Sequence, residues 1–364
     1  MTIQQVTDIL EELAPLANAE DFDNVGLLVG NPNTEVTGIL VTLDTLENVV
    51  DEAIGKGCNL IVSFHPIIFK GLKKITEADY VERTVAKTIS NKIGIYSMHT
   101  ALDNSPKGVN AKICEVLGIV NARILIPKKN VIKKLVTFVP KNKADALRNA
   151  LFSAGAGTIG NYSHCSFSMD GRGSFNPNEN ANPSVGVIGK THFEEETQIG
   201  VTYTKADEAK ILKALFTSHP YEEVAYEIST LENQHQNLGM GMIGELPSPM
   251  KELDFLSFVK KKMNAQGIRH SALLGRKIHK VAVLGGSGSF AIPAAKAQKA
   301  DILITADIKY HQFLQAEGKL IIADIGHYET EQYTKNLIAD YLTEKIPNFA
   351  IRLSESITNP IKYL

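Results

Sequence analysis

Runs of apolar residues alternate with amphipathic segments along much of the chain. In the first third, residues 38–43 and 59–63 are apolar runs, and residues 45–56 between them place apolar side chains at helical spacing. A strand–helix–strand order with continuously apolar strands is typical of a parallel sheet that is covered on both faces. The pattern therefore predicts an α/β fold.

The last third of the chain repeats this order of elements. Residues 280–284 and 302–305 are apolar runs on either side of a helical segment. The spacing from Ile39 to His65 equals the spacing from Val281 to Asp307, and each copy continues into another apolar run. A repeat of order and spacing indicates an internal duplication, which would produce two similar strand–helix–strand lobes.

The middle of the chain has a different pattern, namely strand, helix, strand, strand, helix, strand. This order is typical of an α+β ferredoxin-like domain, and polar stretches mark both of its ends. We predict a first lobe at residues 1–128, an inserted ferredoxin-like domain at 129–234 and a second lobe at 235–364. The two lobes would form one discontinuous body.

Charge and composition exclude several classes of function. The formal net charge is −2 over 364 residues, so no basic surplus favours nucleic acid or an anionic membrane as the main partner. The N-terminal residues lack the pattern of a signal peptide, and no apolar run approaches the roughly 20 residues of a membrane span. Three scattered cysteines favour buried thiols over disulfides. We expect a cytoplasmic protein.

Histidine and acidic residues follow several of the predicted strands. His65 ends one apolar run, and Pro66 directly after it stops the strand. His99 precedes Asp103 by four positions, and His327 precedes Glu331 by four. If helical, each pair lies on one helix face, where imidazole and carboxylate suit zinc, iron or manganese. The alternatives are a core histidine at residue 65 and chance pairs on solvated helix faces.

A glycine-rich stretch at residues 285–291 joins a predicted strand to a predicted helix. Its G-x-G-x-x-A spacing is found in turns that bind the phosphates of dinucleotides. A tight structural turn has the same composition. Both interpretations remain open from the sequence, and we assign no cofactor-binding residues to the stretch.

Several segments together resemble one known family, the type 2 GTP cyclohydrolase I homologues, also called Nif-three-like or dinuclear metal-centre proteins. The segments that carry the resemblance lie in both outer parts of the chain: residues 23–27, 63–69, 99–103, 108–110, 241–246, 305–311 and 326–331. The resemblance implies a PII- or CutA-like insert in the middle of the chain. It also implies a toroidal homohexamer whose sites face an internal cavity.

The resemblance further implies two divalent ions between the lobes. Carried over to this sequence, the metal ligands are His65, Asp103, His327 and Glu331. The family has a second histidine directly before the first of these ligands, and this chain has Phe64 in that position. We therefore expect one firm metal site and a second site that is weakened or lost.

The leading functional hypothesis is a metal-dependent hydrolase that acts on a small molecule such as a nucleotide. The metal would activate water, and His99 or Asp103 would move the proton, with His99 as the catalytic candidate. The alternative is a non-catalytic metal-binding scaffold or regulator whose insert senses a ligand or partner. The family name is the reason for naming GTP as the substrate.

Overall fold

The computed structural model describes residues 1–364, which divide into two compact units. One unit contains residues 1–127 and 237–364, and the other contains residues 128–236. The mixed α/β fold predicted from the sequence is confirmed. No helix combines the length and the apolar composition that crossing a membrane requires.

The N-terminal part of the chain contains five helices and five strands. The helices are α1 (Ile3–Leu13), α2 (Glu47–Gly55), α3 (Tyr80–Ser90), α4 (His99–Asp103) and α5 (Val109–Leu117). The strands are β1 (Gly26–Val29), β2 (Ile39–Thr42), β3 (Leu60–Ser63), β4 (Gly94–Ser97) and β5 (Val120–Lys128). The predicted strand–helix–strand segment thus lies at β2, α2 and β3.

Residues 128–236 fold as a unit with one sheet and two helices. Its elements in chain order are β6 (Ile132–Pro140), α6 (Ala144–Ser153), β7 (Ser166–Phe175), β8 (His192–Thr204), α7 (Glu208–Ser218) and β9 (Tyr226–Leu231). The strand order in the sheet is β7-β8-β6-β9, and neighbouring strands are antiparallel. Leu147 and Leu215 from the helices pack with Leu135 and Ile199 from the sheet in a buried apolar cluster.

The C-terminal part completes the first unit. Its strands are β10 (His235–Met250), β11 (Arg269–His270), β12 (Ile278–Ser287), β13 (Ile302–Ala306), β14 (Ile321–Asp324) and β15 (Ile351–Leu353). Its helices are α8 (Glu252–Lys262), α9 (Ile292–Ala297), α10 (Tyr310–Phe313), α11 (His327–Glu331) and α12 (Thr334–Lys345). The sequence pattern did not indicate α8 or α12.

Two sheets with related topology form the centre of this unit. The first has the order β1-β4-β3-β2-β15, and the second has the order β11-β14-β13-β12-β10-β5. In each sheet three successive strands are parallel, and a short antiparallel strand pairs with the third of them. The carboxyl ends of the parallel strands therefore lie at one edge in each sheet, which is where ligands bind in open α/β sheets.

Each sheet also takes an edge strand from the other half of the chain. β15, near the C-terminus, pairs with β2 in parallel, with Ile351 opposite Ile39. β5, from the N-terminal half, is the edge strand beside β10 in the second sheet. The sequence pattern did not indicate this exchange, because a short strand carries no information about its distant partner.

Burial of apolar side chains explains why these segments adopt their structures. All four residues of β2, β3 and β4 are buried, as expected for strands that are covered on both faces. Helix α1 buries Ile3, Val6 and Leu10, and each such side chain contributes about 1.5–3 kcal/mol through burial. Of the three cysteines expected to be buried, Cys58 and Cys114 are buried, but Cys165 is only half-buried.

Candidate metal centre

His65 lies directly beyond the carboxyl end of β3. Its backbone N–H donates a hydrogen bond to the carbonyl oxygen of Leu43 (2.9 Å), and the Ser63 hydroxyl donates to the carbonyl oxygen of His65 (2.8 Å). These bonds hold the backbone at the end of the strand. The Nδ1 atom of the imidazole lies 2.8 Å from Oδ1 of Asp44, which follows β2. This contact turns Nε2 away from Asp44.

His327 is held in the same manner by a carboxylate of the second sheet. It is the first residue of α11, after Gly326, whose φ of +100° favours glycine. The Nδ1 atom of His327 lies 2.6 Å from Oδ2 of Asp307, which directly follows β13. Asp307 has a left-handed backbone with a φ of +56°, a conformation that aspartate adopts more often than most other residues with side chains.

The carboxylate of Glu331 faces both imidazoles. Glu331 lies one helical turn after His327 in α11, so the two side chains share a helix face. Its Oε2 atom lies 3.1 Å from Nε2 of His65 and 3.2 Å from Nε2 of His327. This oxygen is buried and accepts no hydrogen bond of good geometry. One ligand atom from each residue lies within 4.8 Å of the others, so the three form a cluster able to hold a metal ion.

The glycine-rich stretch at the end of β12 makes room for this cluster. Gly286 has a φ of +66°, and a Cβ atom built there would overlap Oε1 of Glu331 and approach Nε2 of His327 to 3.3 Å. Its N–H donates to the Thr330 hydroxyl (2.9 Å), and the N–H of Gly285 donates to Oδ1 of Asn110 (3.0 Å). These N–H groups are therefore bonded within the protein. The structure supports the structural-turn interpretation over phosphate binding.

The charges within the cluster change the pKa values of its members. Burial acts to lower the pKa of His65, but the Glu331 charge and the Asp44 hydrogen bond raise it to about 10. Burial also acts to lower the pKa of His327, and its contacts with Glu331 and Asp307 raise it to about 9. For Glu331, burial acts to raise the pKa, but the charge of His65 and the contact with His327 lower it to about 2. Without a metal, the imidazoles of His65 and His327 are therefore protonated at neutral pH. A metal ion that binds to them must displace these protons.

The arrangement fits a divalent metal ion on three grounds. The buried Oε2 of Glu331 faces Nε2 of both imidazoles without a hydrogen bond of good geometry. Both imidazoles have Nδ1 held by a carboxylate and Nε2 directed to the same oxygen, which is the carboxylate–histidine pairing common around metal-binding histidines. Two imidazole nitrogens and one carboxylate suit zinc, iron or manganese.

His99 lies beside this cluster in a separate hydrogen-bonded pair. Its Nδ1 atom lies 2.8 Å from Oδ1 of Asp23, whose other oxygen accepts from the backbone N–H and the hydroxyl of Thr100. Burial acts to raise the pKa of Asp23, but the bonds from His99 and Thr100 lower it to about 2. The His99 ring centroid is 5.3 Å from that of His65. The predicted proton-transfer residue is therefore close to the cluster.

Asp103, the remaining expected ligand, is not part of the cluster of donor atoms. Its Oδ1 is buried without a hydrogen-bond partner, and burial together with the Glu331 charge raises its pKa well above the usual range. Phe64 is fully buried, and its ring centroid lies 4.9 Å from that of His65 and 5.5 Å from that of His99. A side chain that cannot bind a metal thus occupies the position where the family resemblance implies an additional histidine.

Sequence reasoning did not assign roles to three carboxylates and one glycine of this region. Asp44 and Asp307 each follow a parallel strand, as His65 does. Their position after a strand could therefore have indicated a role at the sheet edge. Asp23 lies 76 residues from its partner His99, and no local pattern relates the two. Gly286 was noted only as part of a possible phosphate loop.

Fold and cluster together define an α/β protein with a buried His/Glu group able to hold a metal ion. The family model of Duf34/NIF3 (NGG1p interacting factor 3) matches residues 1–360. The chain belongs to this family. It is 38% identical over 367 residues to the GTP cyclohydrolase 1 type 2 homolog of Bacillus subtilis, covering 99% of this chain and 98% of that protein. A protein of the same name from Halalkalibacterium halodurans is 37% identical, with the same coverage.

Solved structures show the same fold over the full length. A Bacillus cereus protein related to NIF3 has a TM-score of 0.85 and 38% identity, covering 100% of this chain and 99% of that one. A protein from Staphylococcus aureus has a TM-score of 0.78 and 30% identity with the same coverage. The resemblance inferred from the short sequence segments is therefore confirmed.

Proposed function

We propose that the protein is a divalent-metal-dependent hydrolase whose metal is held by His65, His327 and Glu331. The observation that carries the proposal is the buried Oε2 of Glu331, which faces two Nε2 atoms and accepts no hydrogen bond. Three donor atoms converge at this point, and a divalent cation bound to all three would replace the contacts between the carboxylate and the protonated imidazoles. When bound, such a cation lowers the pKa of water and stabilises developing negative charge.

The residues around the cluster supply the remaining parts of a hydrolytic site. Asp44 and Asp307 keep the Nδ1 protons of the two imidazoles and thereby fix their orientation. Asp23 does the same for His99, which leaves Nε2 of His99 as the atom that accepts a proton from attacking water and returns it to a leaving group. Phe64 covers one side of His65 and His99 with an apolar ring.

A nucleotide is the substrate class that we propose, because curated relatives carry the name GTP cyclohydrolase 1 type 2 homolog. For GTP, one water molecule would add at C8 of guanine and the C8–N9 bond would break to give a formamide. A second water molecule would hydrolyse the formamide, releasing formate and a free amine. His99 would serve both steps as the proton acceptor and donor.

We propose one firm metal ion in this chain, with Asp103 and Glu331 retaining only the remnant of a second site. Two observations support this assignment. Phe64 is fully buried beside His65, and Asp103 lies outside the three-donor cluster. A phenyl ring offers no ligand atom for a second ion.

The arrangement of domains and the oligomeric state are also proposals. We propose that residues 129–234 are an inserted ferredoxin-like domain within a discontinuous body of two lobes. The strand order β7-β8-β6-β9 and the element order β-α-β-β-α-β support the ferredoxin-like domain. The division into compact units supports the insertion, because residues 1–127 and 237–364 form one unit and residues 128–236 form the other. The homohexamer implied by the family resemblance remains a prediction for measurements of molecular mass in solution.

A non-catalytic metal-binding scaffold with a ligand-sensing insert is the second candidate. The observation that favours it is Phe64, because a single ion cannot clamp a substrate between two metals. Metal at full occupancy with no turnover of any nucleotide would select the scaffold over the hydrolase.

The test combines metal content with turnover in matched histidine variants. Wild-type protein purified without chelator is analysed for metal per chain and assayed with GTP for formate release. His327→Ala should lose both the metal and the activity while keeping its circular dichroism spectrum. His311→Ala removes an exposed histidine of α10 and should change neither quantity.

Two outcomes would contradict the hydrolase. Retention of metal in His327→Ala at the wild-type level would show that the cluster is not the site. Equal formate release by wild type and His327→Ala would show that the reaction does not depend on the cluster.

A further inference from the structure

A cavity of about 680 Å³ lies within the unit formed by residues 128–236. It is bounded by strands β7 and β8 and by residues 176–184 and 221–225. Its volume falls within the range of about 300–1,000 Å³ that is usual for small-molecule sites. It is separate from the metal centre, all of whose residues belong to the other unit.

The floor of this cavity is the sheet face that points away from α6 and α7. Phe138, Gln198 and Met169 are direct cross-strand neighbours on β6, β8 and β7, and all three line the cavity. Leu135 on β6 and Ile199 on β8 belong to the alternate positions of these strands. They pack with the helices instead. Because side chains alternate across a sheet, the lining set faces the opposite side.

Aromatic rings form part of the wall above this floor. The ring centroids of Phe175 and Tyr221 lie 6.1 Å apart, with an interplanar angle of 59°. With Phe138 and Met169 they give the cavity a largely apolar interior. Aromatic faces carry partial negative charge and attract cations within about 6 Å.

One carboxylate is built into this wall. The Tyr221 hydroxyl donates a hydrogen bond to Oε1 of Glu196 (2.8 Å). The other oxygen, Oε2, occupies the space that a side chain at residue 173 would fill, because a Cβ built on Gly173 would overlap it. Glycine at this position therefore lets the Glu196 carboxylate lie against β7, on the wall of the cavity.

The charges near the cavity favour a cation over an anion. Glu222 and Glu223 line it together with Glu196. The guanidinium of Arg172 stacks on the Phe193 ring at 4.4 Å. The charge of Asp170 is balanced by Lys141, because the Nζ atom of Lys141 lies 2.6 Å from the Asp170 carboxylate.

A buried histidine holds the segment that carries Tyr221. The Nε2 atom of His219 lies 3.0 Å from the carbonyl oxygen of Phe138, and its Nδ1 accepts a hydrogen bond from the Tyr221 N–H (3.1 Å). Donation from Nε2 and acceptance at Nδ1 are compatible with one neutral tautomer. The stretch 219–223 is thus fixed against the sheet and shapes the cavity.

We propose that this cavity binds a small organic cation, namely a primary amine or guanidine on an apolar body. The cationic group lies at the Glu196 carboxylate near the rings of Phe175 and Tyr221, and the apolar body lies over Phe138 and Met169. Carboxylate pairing and cation–π attraction select the charge, and the apolar floor binds the body.

The test uses three probes of similar size on the full chain: 2-phenylethylamine, 2-phenylethanol and 3-phenylpropionate. Calorimetry or ligand-observed NMR should give the tightest binding for the amine, weaker binding for the alcohol and none for the carboxylate. Glu196→Gln keeps an acceptor for the Tyr221 hydroxyl and should weaken binding of the amine by about tenfold, with little change for the alcohol. Glu227→Gln makes the same change on exposed β9, outside the cavity lining, and should leave the amine affinity unchanged.

A second variant tests the location independently of charge. A Cβ at Gly171 meets no atom within 4 Å, so Gly171→Leu should fold normally and fill the cavity. We expect this variant to bind neither the amine nor the alcohol. The proposal is overturned by equal affinity for all three probes, by no binding of the amine at millimolar concentration, or by unchanged amine affinity in either Glu196→Gln or Gly171→Leu.

Discussion

Gly286, at the end of β12, lies directly against the carboxylate of Glu331, which follows 45 positions later in the chain. No side chain larger than a hydrogen atom fits there without displacing a proposed metal ligand. The glycine-rich turn therefore contributes to the metal centre by leaving space, which is a different role from the phosphate contact that its spacing suggested.

Replacing Gly286 with alanine should weaken metal binding. The new Cβ would push Glu331 out of its position, and we expect a loss of about 10–100-fold in metal affinity, as for disturbance of other groups that orient ligands. Gly318→Ala is the matched control, because Gly318 has nearly the same φ (+64°) with no atom within 4 Å of its Cβ position. Both variants should lose about 1 kcal/mol of unfolding free energy from backbone strain. Competition with a chelating dye measures the affinities, and equal affinities in the two variants would contradict the role of Gly286.

Replacing Phe64 with histidine should add a metal ligand beside His65. We expect the metal content to rise from one to two ions per chain in Phe64→His, measured by elemental analysis after dialysis against metal-free buffer. Phe64→Leu controls for loss of the ring and should keep one ion. Two ions in the wild type would show that Phe64 does not disable the second site.

Metal affinity should increase steeply with pH. The raised pKa values of His65 (about 10) and His327 (about 9) mean that the metal displaces about two protons at neutral pH. The logarithm of the association constant should therefore rise by about 2 per pH unit below pH 9 and level off above about pH 10. Calorimetry in buffers with different ionisation enthalpies gives the proton count directly. A pH-independent affinity between pH 6 and 8 would rule out protonated imidazoles in the unloaded site.

Asp23 should stabilise the fold at neutral pH and lose this contribution in acid. Its pKa of about 2 lies below the value of 3.8 expected for an unperturbed aspartate. Because the pKa is lower in the folded state, ionised Asp23 stabilises the fold above about pH 4, and this contribution is lost as the pH falls towards 2. It amounts to at most about 2 kcal/mol of unfolding free energy. Urea unfolding of Asp23→Asn at pH 7 should show this loss, and the difference from wild type should shrink at pH 3.

The neighbouring Asp21 supplies a control for that measurement. Asp21 is exposed, and Asp21→Asn should match the wild type at both pH values. A destabilisation of Asp23→Asn that is the same at pH 7 and pH 3 would mean that the charge of Asp23 does not contribute.

The local patterns of the sequence predicted the central strands well and the outer elements poorly. The apolar runs that became β3 and β13 were recognisable because a strand buried on both faces needs consecutive apolar residues. Helix α12 was missed because its apolar stripe is interrupted by polar residues. The second strand of the middle segment, β7, is exposed along most of its length, so hydrophobicity gives it no clear boundary.

His65, His327 and Glu331 were identifiable from the sequence because their signals are local. A histidine directly after a buried strand lies at the sheet edge, and a spacing of four puts two side chains on one helix face. The partners of these residues were decided only by the tertiary structure. Asp23 and His99 meet across 76 positions of the chain, and β15 reaches the edge of the first sheet from the opposite end. Such pairings depend on which surfaces pack together, and this information is spread over the whole core and absent from any single segment.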